Sequence, residues 1–256
     1  MTYYSLVPLI AIFVYLLYLA TVVRDPQKRK CRPFLVYLAA SVVWGLNSFL
    51  ALASFSTGQL WLWGALPPIT GLWAVVSYFH FIGLFSQKNT RIWMVGAYTI
   101  IIILIIIAFT GNAPQVIQHS ANNGVSLDYL PLFYFTLLGG ALFIGLSILH
   151  LLQTYRTQEN PITQNKVVYL LLGAGLLSVS SIRIAVPMLQ EYPLEHIGNL
   201  CNVLLISHVT FSSKLSDVRL VSKKYFAFLF VSAMAAVFYV LVFWGLERYI
   251  HTWTSP

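Results

Sequence analysis

The sequence predicts an all-α, polytopic transmembrane helix bundle of seven spans plus an eighth, C-terminal one. Three observations carry that reading. Runs of about 20 apolar residues recur along the whole chain, each long enough to cross the hydrocarbon core of a bilayer. Of 256 residues, 59% are hydrophobic and only 9% charged, whereas an ordinary soluble domain carries about 25% charged residues. The basic residues gather in every second loop, as the positive-inside rule requires.

The elements follow in order, with approximate bounds read from the apolar runs. Span one covers about 3–23, with Pro8 tolerated near its start, and is followed by the cationic stretch RDPQKRKCRP. No basic leader or small-residue cleavage site flanks this long span, so it is expected to be retained and not to be a signal peptide. Span two covers about 34–54, and the uncharged turn FSTGQ leads to span three, about 60–85, where Pro67 and Pro68 are expected to bend the first third. After SQKNTR comes span four, about 92–109, nearly pure isoleucine and expected to face lipid. The stretch 111–129 is read as the longest loop, polar and free of Lys and Arg. Span five (about 132–155) carries Gly139, Gly140 and Gly145, and span six (about 167–189) carries Gly173 and Gly175, small residues that let membrane helices approach closely. Span seven covers about 197–211 and span eight about 225–246. The expected organisation is therefore a membrane bundle over 1–214, a basic connector over 215–224, and an extra helix with a short tail over 225–256.

Charge sets the expected orientation. The loops after spans one, three, five and seven hold five, two, two and four Lys or Arg residues, and the loops after spans two, four and six hold none. The N-terminus is therefore expected outside and the basic loops in the cytoplasm, across the cell's inner (cytoplasmic) membrane. The net charge of +8 is explained by these loops, so nucleic acid is not an expected partner; the lipid bilayer is. Cys31 and Cys201 fall at different depths and are not expected to pair.

Polar residues inside spans are the functional candidates, since burying them in hydrocarbon is costly. Arg183 lies in the outer half of span six, with Ser180 just under one turn before it and Pro187 four residues after, where a kink is expected. Arg183 either snorkels to the headgroups or supplies a ligand or counter-charge. Glu195, Asn199 and Asn202 share one face of span seven. The two asparagines either hydrogen-bond neighbouring helices or, with Asn47, Ser180 and Arg183, line an outward-facing ligand pocket. His80, His150 and His208 stand at a similar depth near the cytoplasmic ends of spans three, five and seven. They are read either as unrelated helix-end histidines or as a haem or metal layer. His208 is half a turn of the wheel from Asn199, so those two are not expected to face one groove. No mid-span lysine, phosphate-binding loop, HExxH or CxxC occurs, which leaves retinal, nucleotide and zinc-protease chemistry without residues. No cofactor is expected.

The run EHIGNLCNVLLISHVTFSSKLSDVRLVSKKYFAFLFVSA resembles the end of the seven-transmembrane sensor region found at the N-terminus of bacterial histidine kinases and related signalling proteins. Leu215, Asp217 and Arg219 in SSKLSDVR match the turn that follows the seventh span there. Phe211, Ser212, Ser213 and Lys214 stand where that family usually has Arg-Tyr-Arg. Span three, WGALPPITGLWAVVSYFHFIGLF, is similar to the family's Pro- and aromatic-rich third helix. The resemblance extends over about 3–245. It implies a non-catalytic signal-input module of a two-component system, with a cytoplasmic kinase or another signalling protein as output partner and room for a homodimer. Pro187 would be the hinge, and Asp217 and Arg219 part of the output. No phosphoacceptor motif or ATP-binding lid is visible in the chain. The rival readings are a transporter or permease subunit, which should show an inverted repeat, and a haem-binding subunit built on the His80, His150 and His208 layer.

Overall fold

A computed structural model describes residues 5–24, 28–53, 60–109, 117–121, 124–128, 131–181 and 193–211. Seven helices lie among them: α1 (Leu6–Arg24), α2 (Lys28–Ala53), α3 (Leu60–Phe85), α4 (Arg91–Phe109), α5 (Pro131–Thr157), α6 (Pro161–Ser181) and α7 (Leu194–Phe211). Six of these, α1 to α6, are long and apolar enough to cross a membrane. The 18 residues of α7 include Glu195, His196, Asn199, Asn202 and His208, polar groups spread along its length. The expected eighth span, the connector over 215–224, Arg183, Pro187, Asp217 and Arg219 lie outside the described residues.

Two expectations are corrected. The 111–129 loop contains a two-stranded antiparallel hairpin, β1 (Ile117–Ala121) and β2 (Gly124–Asp128), in register from Ile117 opposite Asp128 to Ala121 opposite Gly124. The Asn122-Asn123 pair followed by Gly124 is a hairpin-turn composition, because Asn and Gly tolerate the left-handed backbone of tight turns. The basic stretch after α1 is helical from Lys28, with Pro33 inside α2. Its lysines and arginines therefore extend α2 past the apolar run.

Helix α3 is the centre of the bundle. Half of its span is buried, against 28% for α1, α4, α5 and α6. It packs on α2, α4 and α5, while α2 also packs on α1 and α5 on α6. One core cluster joins Tyr15 of α1, Phe34 and Tyr37 of α2, Tyr78 of α3, Leu151 of α5, Leu170 of α6 and Ile206 of α7. A second joins α3, α4 and α5 around Ile69, Phe79, Met94, Ile101 and Phe143. Pro67 and Pro68 stand inside one continuous helix. They leave the carbonyls of Trp63 and Gly64 without helical donors.

Helix α4 buries Met94, Ala97, Ile101, Leu104 and Ala108, a heptad-like stripe. Ile100, Ile102, Ile103 and Ile106 on its other sides are exposed, as expected of the helix read as lipid-facing. Water does not drive helices together inside lipid, so close packing has to. Small residues supply it: a β-carbon at Gly45 of α2 would stand 2.8 Å from Ile12 Cγ1 of α1, and one at Gly71 of α3 would stand 3.1 Å from the Trp44 indole nitrogen.

Candidate functional site: a buried polar network on helix α7

Three helices place hydroxyl and amide groups at one buried point. On α1, Pro8, Ala11, Tyr15 and Val22 face inward, so Tyr15 points into the bundle. On α2, Tyr37 and Ser41 are one turn apart and both are buried, as are Asn199 and Asn202 on α7. That spacing of three or four residues keeps each pair on one helix face.

The hydrogen bonds form a connected set. Tyr37 Oη donates to Asn199 Oδ1 at 2.5 Å and accepts from Asn202 Nδ2 at 2.8 Å. The Asn199 amide uses both its N–H groups, one to Tyr15 Oη at 2.8 Å and one to Ser41 Oγ at 3.1 Å. Asn199 thus bonds to α1 and α2 at once, and Tyr37 ties both asparagines of α7 to α2. The Tyr37 ring lies 5.7 Å from that of Tyr78, whose hydroxyl donates to the Leu170 carbonyl of α6 at 3.0 Å. One atom is left over: Asn202 Oδ1 is buried and has no hydrogen-bond partner among the described residues. It faces Gly173 of α6, where a β-carbon would overlap it.

Next to the network, toward the start of α7, His196 is buried and its ring lies 4.5 Å from that of Trp44. Gly71 of α3 also stands against the Trp44 indole, whose nitrogen would lie 3.1 Å from an added β-carbon. Trp44 is therefore held between α3 and α7.

The residues expected from sequence fall in different places. Asn199 and Asn202 meet on one face and bridge helices. Ser180 lies on α6 against Gly198 of α7, where a β-carbon would overlap its Oγ, and that hydroxyl donates to the Leu177 carbonyl at 3.0 Å. Asn47 is half-buried and makes no hydrogen bond to the network among the described residues. The structure does not bring the three histidines together. His150 packs 5.5 Å from the Phe79 ring, His208 meets Tyr169 edge-on at 5.1 Å, and His80 lines a groove beside α4. No group of three or more His, Cys, Asp or Glu able to hold a metal occurs among the described residues.

Sequence reasoning passed over Tyr15, Tyr37, Ser41, Tyr78 and His196. A signal for the tyrosines was present. Tyrosine in a membrane helix belongs at the headgroup belt, and one near mid-span needs a buried partner for its hydroxyl.

The arrangement defines a class: a multi-pass helical membrane protein whose interior polar groups join helices and whose described residues assemble no metal centre. The chain belongs to the family described as the N-terminal 7TM region of histidine kinase, whose model matches residues 7–219. No curated protein matches the sequence. That family is a membrane sensor region, and the matched segment covers every described helix from α2 to α7 and nearly all of α1.

Proposed function

We propose that this chain is the signal-input module of a two-component system, and that helix α7 is its moving part. In this reading α7 is the seventh crossing, the N-terminus lies outside an inner membrane, and the basic segment 214–224 delivers the output to a cytoplasmic kinase. The reading gives this region a non-catalytic role, in keeping with a family that covers the membrane region of histidine kinases.

The observation that carries the reading is the Asn199–Tyr37–Asn202 set. It bonds the helix nearest the output to α1 and α2 through side chains alone. Such bonds between membrane helices contribute only about 1 kcal/mol each, weak enough for a stimulus to exchange them. The unpartnered Asn202 Oδ1 marks where a second pairing is available, because an unmet buried acceptor costs about 1–3 kcal/mol. A cue acting from the outer side, on Arg183 and its surroundings, would turn or slide α7 and re-pair these groups. A kink at Pro187, as the sequence leads one to expect, would supply the hinge.

The experiment uses the full chain in membranes of its native host. A histidine kinase is expected to co-purify, and Asn199→Leu should change its autophosphorylation rate several-fold. Val179→Ala, on the exposed face of α6, should leave it unchanged. A kinase indifferent to Asn199, or none recovered, overturns the reading.

A further inference from the structure

The α3–α4 corner is built rigidly and opens onto lipid. Helix α3 ends in a left-handed turn with Gln87 at φ 53°. The Lys88 N–H donates to the Gly83 carbonyl at 2.9 Å and the Gln87 N–H to the Leu84 carbonyl at 3.3 Å. This is the paired-bond helix ending usually made with glycine. Thr90 is buried over Gly83, where a β-carbon would overlap its methyl group. Asn89 Oδ1 accepts the Arg91 N–H at 3.2 Å, and the Met94 N–H donates to the Thr90 carbonyl at 2.9 Å. The corner therefore holds the backbone of Lys88 and Arg91 at fixed positions.

A groove of about 540 Å³ lies against this corner. Its rim carries Lys88 and Arg91, both exposed, and its wall runs along α4 past Val95, Tyr98 and Ile102. His80 of α3 also lines it. No acidic residue lines it, and neither cation forms an ion pair among the described residues. Val95 and Ile102 are 62% and 57% exposed, and in a membrane that exposure is to acyl chains. Trp93, 48% exposed and two residues beyond Arg91, marks the headgroup level, where tryptophan concentrates. Two cations at headgroup depth above an apolar channel complement one kind of molecule, an anionic phospholipid.

We propose that this groove is a binding site for an anionic phospholipid, its phosphate held by Lys88 and Arg91 and the upper part of one acyl chain lying along Val95, Tyr98 and Ile102. The site stands apart from the α7 network, and the proposal does not depend on how that network signals.

The test places the full chain in nanodiscs of mixed phosphatidylglycerol and phosphatidylcholine and counts retained lipids by native mass spectrometry. The wild-type chain should retain phosphatidylglycerol in preference to phosphatidylcholine by on the order of tenfold. Lys88→Gln with Arg91→Gln should bring that ratio near parity, while Arg156→Gln, at the α5–α6 end, should leave it intact. Excess inorganic phosphate should not displace the lipid. Equal loss with Arg156→Gln would mean diffuse surface charge, and displacement by phosphate would mean a simple anion site; either overturns the proposal, as does an unchanged ratio in the double variant. Should the double variant fail to fold, Val95→Trp decides: filling the channel should reduce retention of either lipid, and undiminished retention overturns the proposal.

Discussion

Gly173 of α6 faces the side-chain oxygen of Asn202 of α7 so closely that a β-carbon on the glycine would overlap it. The reverse holds further along the same pair, where Gly198 of α7 makes room for Ser180 of α6. Each helix thus offers a glycine to the other's polar side chain, and both contacts lie on the helix that carries the buried network.

Gly173→Ala should destabilise the bundle by about 1–3 kcal/mol, the usual cost of forcing a side chain into a filled space. Gly175→Ala, where nothing stands within 4 Å of the added carbon, should be close to neutral. Thermal unfolding in detergent compares the two. Equal melting temperatures would remove Gly173 as a packing determinant.

Tyr37→Phe leaves two buried groups without partners, Asn199 Oδ1 and Asn202 Nδ2. Its expected cost is about 1–3 kcal/mol. Tyr78→Phe removes a bond to the Leu170 carbonyl, an acceptor that also sits within a helical ladder, so it should cost less. In a double-mutant cycle, Tyr37→Phe and Asn199→Leu should couple by about 0.5–3 kcal/mol. Additive effects would mean that the short Tyr37–Asn199 bond carries no energy.

His80, His150 and His208 sit on three separate contacts, and changing them in pairs should give stability changes that add to within about 0.5 kcal/mol. A shared haem or metal would make them strongly non-additive. It would also give the purified protein an absorbance lost with any single histidine.

Arg183→Met should abolish the kinase response while leaving expression unchanged. An intact response would remove Arg183 from the sensing role proposed above.

A reporter active on only one side of the membrane, fused after Pro256, should signal from outside if the eighth span crosses. A cytoplasmic signal would mean an odd number of crossings and a C-terminus on the side of the proposed output.

Much of the fold was legible because lipid imposes a severe rule on sequence. Backbone polar groups in hydrocarbon must be satisfied within the segment, so each long apolar run has to be a helix. The seven runs from 3 to 211 correspond to the helices α1 through α7, of which α1 to α6 are long and apolar enough to cross a membrane. The orientation of Asn199 and Asn202 toward one face also followed from helical periodicity. The hairpin is hidden by the polarity of 111–129, which by itself signals a loop; only the Asn-Asn-Gly composition between its strands points to it. The basic start of α2 is not legible as helix, because apolarity marks where a helix enters lipid and says nothing of how far it continues beyond.

Helix α4 shows what an apolar sequence withholds. Isoleucine lines its whole circumference, so no polar side marks which face is exposed; in the structure Ala97 and Ala108 turn inward with Met94, Ile101 and Leu104. The partners of Asn199 were beyond reach for a related reason. Tyr15, Ser41 and Tyr37 lie more than 150 residues away in the chain, and meet it only because α1, α2 and α7 are neighbours. Composition and periodicity are local and specify that helices form, how many there are, and which residues share a face. Neighbourhood depends on shape, on glycines that admit an opposing side chain and on hydroxyls that reach an amide across the gap, and these matches exist only once the helices are packed.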